Sequence, residues 1–311
     1  MSSLYIDRKG IALEIEHGAL VFRENGERVG TVPISPLSRV VFRSDVQLST
    51  KVLSKLGEAG VGLIFLAGNH KAPALHYPRP HHDIARRMAQ WLASQQVDFC
   101  LIVAQQLVQR KLEQQAAVLE HYQTHRPDQR YPLSHALKTL SHSIENINSY
   151  QSLNHLRGAE GVAARCYFQA LAAIAPSALQ FQGRNRRPPK DPLNAMLSLG
   201  YTLIHAEACL TLYGMGFDPY VGFYHQIEFG RESLACDVIE PVRPLVDRFA
   251  LGLFENEVLR AEDFSQHNTE GCLLGKAGRL RFYSAYEQAC GDFRSAIKNE
   301  IERLKQCFYQ E

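Results

Sequence analysis

Short, partly alternating runs of apolar and polar residues open the chain, the pattern of half-buried strands. They predict strands at Leu4–Asp7, Ile11–Glu16, Ala19–Arg23, Arg28–Pro33 and Ser38–Phe42, with another at Gly62–Leu66. Asn25-Gly26 between two of these runs is a strong hairpin-turn signal, because both residues tolerate positive φ. From Ser49 to Ala59 the spacing turns helical, with Val52, Leu53 and Leu56 apolar and Ser49 or Thr50 available as cap. The stretch His76-Tyr77-Pro78-Arg79-Pro80-His81-His82-Asp83 then breaks the pattern and reads as a linker. Beyond it the pattern is helical: Ile84–Tyr122 as one or two amphipathic helices, Ser134–Leu156, Gly161–Ile174, the strongly apolar Asn194–Leu212, Val238–Glu255 and Ser284–Phe308. The fold class expected is therefore α+β with two domains, a small N-terminal β-rich domain over residues 1–75 and a larger all-α domain over 84–311, joined by a linker at 76–83. No internal repeat or low-complexity segment is visible.

Composition changes this picture little. The 311 residues carry a formal net charge of +2, so any affinity for nucleic acid must come from local basic patches. The N-terminus lacks the basic-then-apolar pattern of a secretory signal. No uninterrupted apolar run approaches the roughly 18 residues of a membrane span, so neither export nor a membrane role is expected. The seven cysteines form no C-x-x-C, which argues for reduced thiols in a cytoplasmic protein rather than a disulfide framework or zinc ribbon.

Candidate chemistry concentrates between His225 and Glu240. Asp237 and Glu240 are three apart, which on a helix puts both carboxylates on one face. His225 lies shortly upstream, and Gly230 lets the chain turn back between them. Far upstream, Glu160 stands between Gly158 and Gly161 at the expected start of a helix, where glycine permits close approach of a ligand. Hard oxygens and one imidazole suit Mg2+ or Mn2+. Each residue also has a plain structural reading. Glu160 complements a helix dipole. His225 is a core histidine in the aromatic run Gly222-Phe223-Tyr224. Asp237 and Glu240 are solvated acids, with Arg243 placed to pair. His81 and His82 read as linker polarity, since no acid lies at helical spacing from them.

The densest basic run is Gly183-Arg184-Asn185-Arg186-Arg187-Pro188-Pro189-Lys190-Asp191-Pro192. Three prolines forbid a regular helix, leaving a rigid loop that presents cations either to phosphate or to solvent. Lys276, Arg279 and Arg281 form a smaller cluster of the kind common in loops.

Taken in order, Gly158-Ala159-Glu160-Gly161, Arg186-Arg187-Pro188-Pro189, Asp191-Pro192-Leu193-Asn194-Ala195-Met196-Leu197-Ser198, Gly200-Tyr201, Gly222-Phe223-Tyr224-His225, Gly230-Arg231-Glu232-Ser233-Leu234-Ala235-Cys236-Asp237, Glu240 and Arg243-Pro244 resemble the CRISPR-associated integrase of spacer acquisition, CRISPR-associated protein one. The likeness covers nearly the whole chain. Tyr224, Cys236 and Ala159 depart from the usual leucine, aliphatic and isoleucine without removing a chemical group. The resemblance implies a metal-dependent DNA endonuclease and integrase that inserts spacer DNA into a CRISPR array by attack of a 3′-hydroxyl on a phosphodiester. It implies metal ligands at Glu160, His225 and Glu240, with Asp237 a further catalytic acid that binds metal or orients water. It implies an N-terminal dimerisation domain, a homodimer, double-stranded and branched DNA as substrate, and a partner in the second CRISPR adaptation protein, a small ferredoxin-like dimer. Arg184, Arg186, Arg187 and Lys190 are the candidate DNA contacts. Two other readings stay open: a stand-alone metal-dependent nuclease or transposon-type integrase, and a non-catalytic DNA-binding scaffold whose acids only stabilise helices.

Overall fold

A computed structural model describes residues 2–66, 73–78, 83–185, 188–267 and 271–308. His81, His82, Arg186 and Arg187 lie outside the described residues. Two compact units emerge, Met1–Arg87 with Cys209–Phe217, and Met88–Ala208 with Asp218–Glu311. The sequence division at 84 does not foresee that 209–217, the end of an apolar helix and its turn, groups with the strands.

The first unit holds two four-stranded sheets. β2 (Ile11–Glu16), β3 (Ala19–Glu24) and β4 (Glu27–Pro33) form an antiparallel meander, and β6 (Gln47–Leu48) runs parallel beside β2. In the β3–β4 turn Asn25 and Gly26 take φ of 51° and 85°, the pair of positive angles that matches strand twist. The second sheet has the order β1 (Ser2–Ile6), β5 (Leu37–Phe42), β7 (Gly62–Phe65), β8 (Ala74–His76); its first three strands are parallel. Parallel strands need a crossover, and α1 (Thr50–Glu58) provides it between β5 and β7. Leu13, Leu20, Val40, Phe42, Val52, Leu56 and Leu63 share one core. β8 takes His76, which the sequence assigns to the linker, into this sheet as an edge strand.

The second unit is built mainly from helices: α2 (Ile84–Ser94) from Met88 onward, α3 (Val97–His125), α4 (Arg130–Glu145), α5 (Leu153–Ile174), α6 (Pro192–Gly214) as far as Ala208, α7 (Ser233–Ile239), α8 (Arg243–Glu255) and α9 (Lys276–Cys307). It is not all-α: β9 (Phe264–His267) and β10 (Gly271–Leu274) make an antiparallel hairpin that the sequence pattern does not announce. The single helix expected over Ser134–Leu156 is two. Asn146, Asn148 and Ser149 favour local side-chain bonds over helix, and Ser152 caps the next start by accepting from the His155 amide at 3.3 Å. Consequently α5 begins eight residues before Gly161, and Glu160 sits in a helix interior rather than at its start. Gly158 and Gly161 have open space where a Cβ would lie, so neither accommodates a close approach from another part of the chain. The expected Val238–Glu255 helix is also split, because Pro241 has no amide to continue α7 and Pro244 suits the first turn of α8.

α6 is long and apolar enough to cross a membrane by length and composition, contrary to the reading of the apolar runs alone; 67% of its most apolar window is buried inside the protein, as in a core helix. None of the seven cysteines forms a disulfide, and Cys100, Cys209, Cys272 and Cys290 are buried.

Candidate active site

Four elements of the helical unit meet around Lys111. α3 carries it in a buried stripe of Cys100, Val103, Ala104, Leu107, Val108, Leu112, Val118 and Leu119. A cation in such a stripe must be paired, since an isolated buried charge is costly. The Lys111 ammonium donates to Oε1 of Glu160, on α5, and at 2.6 Å to Oε2 of Glu240, just past α7. Arg243, in the first turn of α8, approaches Glu240 Oε1 at 3.3 Å. The i+3 pairing of Glu240 with Arg243 read from sequence is therefore real, but it is buried rather than solvated. Tyr224 donates its hydroxyl to Glu160 Oε2 at 3.0 Å, and Arg157 both donates to the Tyr224 carbonyl and lies over its ring, 5.5 Å from the centroid.

His225 reaches the same region on a loop closed by Asp237. One Asp237 oxygen accepts the Phe223 and Tyr224 amides at 2.7 and 3.0 Å; the other accepts the His225 amide at 2.8 Å and its ring Nδ1 at 2.7 Å. A carboxylate only accepts, so Nδ1 carries a proton, and a neutral ring in this pose has its lone pair at Nε2. Gly222 makes the closure possible, because a Cβ there would lie 2.8 Å from the His225 carbonyl and from Ser233. The Asp237 side chain is 0% exposed and His225 19%. Asp237 is thus saturated and sealed, while the imidazole is reachable. The two acids three apart do not act as a face: Asp237 turns into the loop and Glu240 towards Lys111.

Electrostatics follow from this crowding. Burial pushes the Glu240 carboxyl up, but Arg243 and Lys111, with help from His225, outweigh it and hold the pKa at about 2. Burial pulls the Lys111 ammonium down, and Glu240 and Glu160 more than reverse it. Behind the site, Asp247 accepts from Tyr167 at 3.0 Å and from Tyr201, whose ring lies 5.0 Å beneath the Arg243 guanidinium. Burial raises the Asp247 carboxyl to about 6 against those two hydroxyl donors.

The sequence matches the family model of CRISPR associated protein Cas1 over residues 4–288. The chain belongs to the Cas1 family. It is 38% identical over 304 residues to the CRISPR-associated endonuclease Cas1 1 of Thermodesulfovibrio yellowstonii, covering 97% of this chain and 95% of that one. Among solved structures, a Cas1 protein from Thermotoga maritima superposes with a TM-score of 0.86 at 22% identity, covering 99% of this chain and 97% of the other. A casposase bound to integration product gives 0.80 at 20% identity over 93% of this chain and 82% of that one. The Cas6-RT-Cas1–Cas2 complex gives 0.79 at 22% identity, over 99% of this chain and 35% of the longer one. These structural likenesses speak for the fold.

Chemically, the Cas1 site fits a divalent ion. Glu160 and Glu240 are hard oxygen donors and the His225 imidazole a borderline nitrogen donor, and the Lys111 ammonium already stands as a positive charge between the two carboxylates. As placed, no three His, Cys, Asp or Glu side chains among the described residues form a ready cation cage. Sequence reasoning missed Lys111 and Arg157. The signal for Lys111 was a cation at an apolar position of a helical stripe; nothing local marks Arg157.

The basic loop is braced from within. Arg184 donates to the Asn185 carbonyl, to Asn194 Oδ1 at 2.8 Å and to Ser198 Oγ at 3.1 Å, and lies 5.3 Å over the Tyr201 ring. Asp191 accepts from the Asn194 amide at 2.8 Å, capping α6. Lys190 is exposed, with its backbone pinned by Asn185 and Gln266.

Proposed function

We propose that Glu160, His225 and Glu240 together hold one divalent ion, Mn2+ or Mg2+, and that this protein cuts and joins DNA phosphodiester bonds there as a CRISPR-associated endonuclease and integrase. One observation carries the reading: acids 80 residues apart, Glu160 and Glu240, share a single cation, near an imidazole whose Nδ1 is held by Asp237. A bound divalent ion would neutralise charge on non-bridging phosphate oxygens and lower the pKa of an attacking hydroxyl. The chain's own side chains position the donors. Asp237 sets the ring of His225, Tyr224 orients Glu160, and Arg243 fixes Glu240 while leaving a positive charge beside the site. No side chain here needs to act as a covalent nucleophile.

The incoming nucleophile is the 3′-hydroxyl of a short DNA fragment, and the target a phosphodiester at the edge of a CRISPR repeat. The partners we infer are double-stranded and branched DNA, a second copy of the chain joined through the strand-rich unit, and Cas2, which accompanies Cas1 in the solved complex of similar fold. Of the described candidate contacts, Lys190 is exposed and free to meet phosphate, whereas Arg184 is engaged within its own loop. The protein works in the cytoplasm.

Strand transfer of a labelled DNA fragment into a repeat-bearing plasmid tests this. Glu160→Ala, His225→Ala and Glu240→Ala should each abolish transfer with Mn2+ while the fold persists by circular dichroism. Full-rate transfer by all three would leave the site without a role. Mixing with Cas2 should direct insertion to the repeat boundary; random insertion with and without it would point to a stand-alone nuclease or integrase.

A further inference from the structure

Every oxygen of Glu160 and Glu240 is already engaged by a protein group. Lys111 Nζ takes one oxygen of each. The second oxygen of Glu160 accepts from Tyr224 at 3.0 Å, and that of Glu240 faces Arg243 at 3.3 Å. Mg2+ coordinates carboxylate oxygens at about 2.0–2.1 Å, whereas an ammonium sits about 2.7–2.9 Å from the same lone pairs. Two cations cannot use those lone pairs at once, because they would stand within a few ångströms of each other in a site screened from water.

Resting on the reading of Glu160 and Glu240 as ligands, we propose that Lys111 competes with the divalent ion for its two carboxylates, so that metal uptake is an exchange in which the ammonium is displaced. Lys111 stems from the middle of a 29-residue helix, so its head can leave while the backbone stays in place. A lysine suits this task better than an arginine would. Its compact charge on four methylenes moves freely, while a guanidinium fork would lock both acids bidentately. Lys111 and Arg243 also explain why the half-buried Glu160 and the buried Glu240 tolerate proximity without a metal, since together they neutralise both acids. Replacing one positive charge by two leaves the site more electropositive, as phosphodiester binding requires. Lys111 is a positioning residue here, one that lowers metal affinity while keeping the ligands assembled.

The test titrates Mn2+ into the full-length protein, following free Mn2+ by electron paramagnetic resonance. Lys111→Met should bind Mn2+ roughly tenfold or more tightly than wild type, within the range seen when groups around a metal ligand are changed. Lys111→Arg should bind more weakly than Lys111→Met. Without metal Lys111→Met should melt lower than wild type and gain more in Tm from Mn2+. Should the methionine variant fail to fold, Lys111→Gln reads the same way. Glu160→Gln should lose Mn2+ binding in both the wild-type and the Lys111→Met background. Mn2+ affinity that is unchanged or weaker in a folded Lys111→Met or Lys111→Gln protein, with Glu160→Gln still abolishing binding, overturns the competition and leaves the site standing. Wild-type affinity in Glu160→Gln overturns both together.

Discussion

Asp237→Asn should loosen the His225 loop and, through it, the metal. The amide keeps one acceptor oxygen and replaces the other with a donor, so two of the four bonds at 2.7–3.0 Å are lost. If the NH2 faces Phe223 and Tyr224, two buried amides lose their partner, each at about 1–3 kcal/mol. If it faces His225, one amide is orphaned and the ring must move its proton to Nε2 so that Nδ1 can accept. No lone pair is then left at Nε2 for a metal, the same tautomer fault that an aspartate-to-asparagine change causes beside a catalytic histidine. Folding should weaken by about 2–6 kcal/mol in the first case and about 1–3 kcal/mol in the second, against about 5–15 kcal/mol for a domain of ordinary stability. Mn2+ affinity should fall about 10–100-fold. Urea unfolding measures the first quantity, as a lower midpoint at unchanged slope, and Mn2+ titration measures the second. An unchanged midpoint with full Mn2+ affinity would refute the claim that Asp237 closes this loop.

Gly222→Ala drives a Cβ to 2.8 Å from the His225 carbonyl and from Ser233; it should lower stability by about 1–3 kcal/mol and weaken Mn2+ binding, whereas Gly158→Ala, with open space in α5, should raise stability by about 0.5–1 kcal/mol, both read by thermal melting. Asp247 is a carboxyl raised from 3.8 to about 6, so its ionisation opposes folding. Its favourable contribution is complete below about pH 4 and is lost as pH rises through 6, on the order of 3 kcal/mol in all; Asp247→Asn should flatten that decline in a series of unfolding curves across pH. Lys190→Ala should reduce the salt dependence of DNA affinity by about one unit of slope, measured by fluorescence anisotropy at several salt concentrations. Arg184→Ala, by contrast, should lower the melting temperature, since its guanidinium braces Asn194, Ser198 and Tyr201.

Much of the strand-rich unit was legible because local rules suffice there. The Ile11–Glu16 alternation and the Asn25-Gly26 turn fix their own conformations, and the structure reproduces them closely. Helix ends were less legible. The breaks at 146–152 and 240–242 rest on caps and missing amides, which a periodic apolar pattern runs straight through. The β9–β10 hairpin escaped notice because its strands have four residues each, too few for a period to show. At the site, Glu160, His225, Asp237 and Glu240 were all named from the sequence, and the structure brings them to one region, but with different work for two of them. Asp237 accepts from the loop, and Glu160 lies within a helix. Lys111 was invisible because its meaning depends on acids 49 and 129 residues away, a relation that only folding creates.

A crystal soaked in Mn2+ and measured at the manganese edge asks the central question directly. One strong anomalous peak is expected within coordination distance of Glu160, Glu240 and Nε2 of His225, with the Lys111 ammonium drawn away from both carboxylates. A peak elsewhere, or Mn2+ bound with His225 outside its coordination sphere, would contradict it.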